Sequence, residues 1–220
     1  LMILRIVPNG DERDKDIALA IKYAVRNGAQ VINMSFAKKY SLHHDFVIEA
    51  IEEAEKAGVL IVQAAGNSKT NNDLTPYYPT GKNEKNIKFP NCIVVGASCP
   101  DDDEKLVAFF SNYGKKSVDI FAPGLQIKTC ELKNGYGTSS GTSIASPVVA
   151  GLAAVLLSYY PHLSANELKE IILKSSYKPK TKSLTIPNMD IKQSLEDISV
   201  SGGIANLYRA ILLTEKEYLK

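Results

Sequence analysis

The chain opens by alternating short apolar runs with stretches of helical spacing. Met2-Ile3-Leu4-Arg5-Ile6-Val7 is nearly all apolar and predicts a buried strand over residues 2–7. Over residues 14–27, Ile17, Ala20, Ile21, Ala24 and Val25 recur at three and four. Asp14 and Asp16 stand at the start of this stretch and Gly28 just past its end, which predicts an amphipathic helix. Val31-Ile32-Asn33-Met34-Ser35-Phe36 predicts a second strand. Residues 45–57 predict a second helix through Phe46, Val47, Ala50, Ile51 and Ala54, stopped by Gly58. Val59-Leu60-Ile61-Val62 is a third strand with no polar position. Strands without alternation are buried on both sides. Strand–helix–strand–helix–strand in that form predicts an α/β fold, a three-layer αβα sandwich around a mostly parallel sheet.

Residues 67–91 are a polar loop rich in Asn, Lys, Thr and Pro, long enough to expect a functional or mobile segment. Strands are predicted again at Cys92–Ala97, near Val107–Phe110, at Val118–Ala122 and near Gln126–Cys130, with a turn at Pro123-Gly124. Gly135-Tyr136-Gly137-Thr138-Ser139-Ser140-Gly141 reads as a small-residue loop. It leads into a helix over Ile144–Tyr160 that is apolar all round and so expected to be buried. Pro147 falls in the first turns of this helix, where a missing N–H costs little. Ser164-Ala165-Asn166-Glu167 is a capping box opening a helix with Leu168, Ile171 and Ile172 facing inward. Residues 176–201 carry no clear element, and Gly203–Leu213 reads as a last short helix.

Composition narrows the partners. Of 220 residues, 26 are Lys or Arg and 24 Asp or Glu, a net charge of +2. That balance gives no expectation of a nucleic-acid or membrane-surface partner. No run reaches ~18 consecutive apolar residues, so no membrane span is expected. Cys92, Cys99 and Cys130 are an odd number and make no disulfide scaffold; they read as two buried thiols and one surface thiol. The chain begins inside an apolar run at Leu1. It therefore reads as one partial domain over residues 1–220, with an amino-terminal part lying elsewhere.

Chemistry concentrates at two places. A small-residue loop delivers Ser143 to the front of an apolar helix, where unpaired N–H groups and the helix dipole favour a developing oxyanion. Serines at such places also simply cap helices. Ala64-Ala65-Gly66-Asn67 follows the third strand directly. Open α/β sheets bind ligands outside the carboxyl ends of their strands. An Asn amide there is a candidate donor to an oxyanion.

Together these segments resemble the subtilisin-like serine proteases. Gly141-Thr142-Ser143-Ile144-Ala145-Ser146-Pro147 fits the family's G-T-S-x-A-x-P signature, and Val148-Val149-Ala150-Gly151 follows it where H-V-A-G is usual. Ala64–Asn67 matches the oxyanion segment A-A-G-N. Val31-Ile32-Asn33-Met34-Ser35-Phe36-Ala37 is similar to the substrate strand V-I-N-M-S-L-G, with Ala37 where Gly is usual. Cys92–Ala97, Phe121-Ala122-Pro123-Gly124 and Gly203-Ile204-Ala205-Asn206 follow in family order. The resemblance implies a serine endopeptidase in which Ser143 attacks the peptide carbonyl. It further implies that Asn67 and the Ser143 N–H hold the oxyanion. An extended polypeptide substrate lies along Ser35, Phe36 and Ala37, with Ala64, Ala65 and Gly66 walling the pocket for the residue before the scissile bond. It also implies a secreted or cell-envelope location, and admits calcium as a cofactor. Asp101-Asp102-Asp103 is the only acidic run and reads as a solvated turn.

One expectation of the family goes unmet. Its order is Asp, then His, then Ser, yet neither D-[ST]-G nor H-G-T occurs in the chain. His43 and His44 precede a predicted helix and His162 follows Tyr160-Pro161; all three read as surface residues. A serine without a base is a poor nucleophile, so Asp and His are expected from outside these residues. Three rival readings fit parts of the pattern. Gly137-Thr138-Ser139-Ser140-Gly141 fits the α/β-hydrolase motif G-x-S-x-G, but no Asp lies between it and His162. Sedolisin-type acid peptidases carry Asp where this chain has Asn67. A pseudoprotease or peptide-binding module would hold an extended peptide without cutting it.

Overall fold

A computed structural model describes residues 1–7, 10–188 and 192–218. Its frame is a parallel sheet of β1 (Val31–Met34), β2 (Leu60–Ala64), β3 (Cys92–Ser98) and β4 (Ile120–Pro123), in that spatial order. Successive side chains of a strand leave on opposite faces. Leu60, Val62, Ile93 and Val95 accordingly pack against Val149, Leu152 and Leu156 of α3 (Thr142–Tyr159) and Leu168, Ile171 and Ile172 of α4 (Ala165–Lys174). Ile61 and Cys92 face α1 (Asp14–Arg26) and α2 (His44–Lys56), meeting Ile17, Ile21, Val47 and Ile51. The sheet is thus the middle of three layers, as the buried strands predict.

The boundaries of α1, α2 and α4 follow the expected signals closely. The capping box at α4 forms, with Ser164 and Glu167 exchanging backbone and side-chain bonds. Asn206, in the predicted last helix, turns out to be the N-cap of a later one (Leu207–Glu217), accepting from the Arg209 N–H at 3.0 Å.

Five expectations are corrected. Residues 1–7 form no strand, and Leu1 and Ile3 are exposed. Apolarity nominates a strand but a neighbour supplies its ladder, and among the described residues none pairs with this run. Residues 107–110 contribute only a single bridge, Val107 to Ser98. The small-residue loop is largely strand: β5 (Ile127–Glu131) and β6 (Gly135–Ser139) form an antiparallel hairpin turned by Lys133 and Asn134, both at positive φ. Finally, α3 is buried along one side only, since Pro147, Val148, Gly151 and Ala154 face solvent. By length and composition α3 is apolar enough to cross a membrane, yet its inner side is packed on the sheet. Pro147 also sits in the second helical turn, not the first, four residues after Ser143. There its missing N–H does have a cost.

Candidate active site

Gly141 caps α3 with φ +151, a backbone conformation that side-chain-bearing residues rarely adopt. Its N–H donates to the Gly124 carbonyl at 2.8 Å, tying the helix start to the turn after β4. A Cβ at Gly141 would lie 2.8 Å from Ser143 Oγ, 3.5 Å from Asn67 Nδ2 and 3.6 Å from the Ser143 backbone nitrogen. One hydroxyl and two N–H donors therefore border a single small space, which the absence of a side chain at Gly141 keeps open. Ser143 lies in the first helical turn, whose N–H groups have no intrahelical acceptor. Those of Ile144 and Ala145 turn back to the Gly141 carbonyl and that of Thr142 goes to Asn67. Among the described residues, the Ser143 N–H is left unspent.

The orientation of Asn67 is set by Thr142. Asn67 Oδ1 accepts from the Thr142 N–H at 2.8 Å and from Thr142 Oγ1 at 3.0 Å. Thr142 Oγ1 accepts in turn from the Gly66 N–H at 3.0 Å. Two donors on Oδ1 fix the amide so that Nδ2 turns the other way, toward Ser143.

Two buried asparagines hold the turn that presents Asn67. Asn72 Nδ2 and Asn112 Nδ2 both donate to the Ala65 carbonyl, at 2.9 and 3.0 Å. Asn112 Oδ1 accepts from the N–H groups of Ser68 and Thr70 at 2.8 and 3.0 Å. Gly66, at φ +106, passes so close to Asn112 that a Cβ there would meet its Nδ2 at 2.5 Å. The sequence names Thr142 only as part of the serine signature and gives no sign of Asn72 or Asn112. Nothing in a Ser-Asn-Tyr stretch distinguishes a buried, hydrogen-bonded Asn from a loop Asn.

Ser35, Phe36 and Ala37 continue β1 beyond its ladder. The Phe36 side chain packs against the core between the sheet and α1 and α2, so only its backbone is available to a peptide. The Ser35 hydroxyl is turned toward α3, donating to the Ser143 carbonyl at 2.8 Å. Lys38 and Tyr78 then exchange backbone hydrogen bonds at 3.0 and 2.8 Å. A cavity of about 510 Å³ lies behind Ala64 and Ala65, lined also by His44, Gln63, Tyr77 and Tyr78.

The histidines stand apart from Ser143. His43 and His44 are at the start of α2, on the opposite face of the sheet from α3. His43 is exposed and stacked on Phe46. His44 is not a simple surface residue. Both ring nitrogens are buried, its ring edge meets Tyr78, and burial pushes its pKa down. His162 is exposed beyond α3.

The acidic run is spent locally. Asp102 accepts from the Tyr177 hydroxyl at 2.6 Å and the Lys180 N–H, and Asp103 from the Lys105 N–H. Among the described residues, no three His, Cys, Asp or Glu side chains gather in one place. Cys92 is buried, its thiol pushed up to about 12 by desolvation; Cys99 is half-buried and Cys130 exposed, all unpaired.

Comparison with known proteins gives one consistent result. Residues 1–201 match the model of the subtilase family, peptidase family S8. Subtilisin DY of Bacillus licheniformis is 36% identical over 154 residues, covering 70% of this chain and 52% of that protein. The thermophilic serine proteinase of Bacillus sp. strain AK1 is 41% identical over 150 residues, covering 68% of this chain and 33% of that one. The chain thus spans about half the length of these relatives or less. Among solved structures, the prenylagaramide maturation protease PagA superposes with a TM-score of 0.71 at 27% identity, covering 94% of this chain and 70% of that one. A cold-adapted subtilisin-like serine proteinase gives 0.67 at 28%, covering 84% and 62%.

Proposed function

The chain belongs to the subtilase family of serine endopeptidases, and on that premise we propose that it is the carboxyl portion of a peptidase domain with Ser143 as nucleophile. The observation that carries this is the space bordered by Ser143 Oγ, Asn67 Nδ2 and the Ser143 N–H. Ser143 Oγ attacks the scissile carbonyl and its proton passes to a His. As the carbonyl oxygen gains charge, Asn67 Nδ2 and the Ser143 N–H donate to it, assisted by the amino-terminal dipole of α3. Collapse of the tetrahedral intermediate expels the amine and leaves an acyl-enzyme, which water hydrolyses by the reverse sequence.

Asp and His come from a part of the protein outside these 220 residues. Two features support this. The chain matches only part of its relatives' length, and α3 presents an apolar side to solvent that such a segment would cover. The peptide substrate lies extended along Ser35–Ala37, adding a strand through main-chain hydrogen bonds. The side chain before the scissile bond enters beside Ala64–Gly66. Membership of the family is the ground for placing the protein outside the cell or in its envelope.

The test compares the 220-residue chain with the protein completed by its Asp- and His-bearing part. The completed enzyme hydrolyses peptides and Ser143→Ala abolishes this. The chain alone shows no turnover above a Ser143→Ala control. Serine-dependent turnover by the chain alone would refute the division of the site. Full activity in the completed Ser143→Ala enzyme would refute the nucleophile.

A further inference from the structure

A helix carbonyl normally accepts from the N–H four residues on. For Ser143 that residue is Pro147, which has no N–H and whose ring crowds the same carbonyl. The residue carrying the candidate nucleophile therefore loses the helical bond that would fix its peptide plane. The Ser35 hydroxyl stands in that place, 2.8 Å from the Ser143 oxygen. A carbonyl only accepts, so the proton of Ser35 is committed to it. The hydroxyl is itself aimed from two sides. Asn33 Nδ2 donates to it at 2.9 Å, and Ser146 Oγ lies 3.4 Å away. Asn33 is fixed in turn by β1, where it pairs with Val62 of β2.

We propose that Ser35 is a positioning residue for Ser143. It supplies the hydrogen bond that Pro147 withholds and so holds the backbone of the nucleophile against the end of β1. The inference rests on the reading of Ser143 given above. It assigns the Ser35 side chain a duty distinct from binding substrate, since the hydroxyl is spent on α3. It also couples the two halves of the site. The strand end along which a peptide is to lie is bonded to the residue that is to attack it.

The pairing of an absent N–H with a present hydroxyl makes a specific double-mutant test. Four forms of the completed enzyme are compared: wild type, Ser35→Ala, Pro147→Ala and the double variant. Ser35→Ala leaves a carbonyl without a donor and lowers kcat by about tenfold with KM nearly unchanged. Pro147→Ala restores an N–H to that carbonyl, so in its background Ser35→Ala costs only a small part of that factor. Ser35→Thr keeps the hydroxyl and recovers most of kcat. A rise in KM alone would make Ser35 a substrate contact and overturn the proposal. Equal losses in both backgrounds would overturn it too.

Should Ser143→Ala leave hydrolysis intact, the reading of the nucleophile fails, and the contact is judged from thermal unfolding of the same four forms. There, non-additive shifts uphold the Ser35–Pro147 exchange and additive shifts overturn it.

Discussion

Asn67 turns the two ends of one amide to different neighbours, and an isosteric change separates them. Its Oδ1 receives the N–H and hydroxyl of Thr142, while its Nδ2 borders the space beside Ser143 Oγ. Asn67→Asp retains an oxygen for Thr142 and places a negative charge at a helix amino terminus, which is favourable by about 0.3–1 kcal/mol. Stability should be unchanged or slightly raised. The donor, however, becomes an acceptor bearing charge of the same sign as the oxyanion. Removing one such donor costs about 10²–10³ in kcat, a magnitude known from subtilisin itself, and like-charge repulsion deepens it. Asn67→Leu removes both functions. It should lose kcat similarly and also destabilise the fold, since two bonds worth about 0.5–1.5 kcal/mol each are given up. The assay is steady-state hydrolysis of a chromogenic peptide by the completed enzyme, with thermal unfolding of each variant alongside. Unchanged kcat in Asn67→Asp would remove the amide from the transition state. A raised KM with normal kcat in both variants would make Asn67 a substrate-binding residue instead.

Two further outcomes are expected. Ala37 stands between Phe36, which packs into the core, and Lys38, which is bonded to Tyr78. If its methyl faces the cleft, Ala37→Gly broadens the range of side chains accepted before the scissile bond, by no more than the ~1–3 kcal/mol that one such group discriminates. Identical cleavage profiles on a peptide library would turn Ala37 away from the cleft. Asp14 is buried, which opposes its charge, but Lys38, the Ser41 hydroxyl and the His43 N–H outweigh this and hold its pKa below the ordinary 3.8. A depressed folded-state pKa contributes stability above the unfolded value that is lost as the pH falls through the folded one. Asp14→Asn should therefore lower the unfolding temperature at neutral pH and flatten its decline below pH 3.8. An unaltered acid limb would detach Asp14 from acid unfolding.

The readable and unreadable parts of this molecule divide along a physical line. β2 and α2 were legible because each declares itself through its own residues, Leu60–Val62 by unbroken apolarity and Val47, Ala50, Ile51 and Ala54 by spacing. Residues 2–7 and 107–110 have the same local look and failed, because a strand also needs a neighbour and no local pattern states whether one is there. The hairpin of β5 and β6 was hidden for the converse reason. Gly135, Gly137 and Ser139 have poor strand propensity, and the pairing with Ile127–Glu131 overrides it. At the site, Ser143 and Asn67 could be nominated because their segments are distinctive. Thr142, Asn112 and Ser35 act through partners far along the chain. The hydroxyl of Ser35 meets a carbonyl 108 residues away, and only the folded chain brings the two together. Pro147 shows the limit most directly. Its place in the second turn of α3 was fixed by a helix start two residues earlier than periodicity predicts. That shift converts a harmless proline into one that leaves the Ser143 carbonyl in need of a donor.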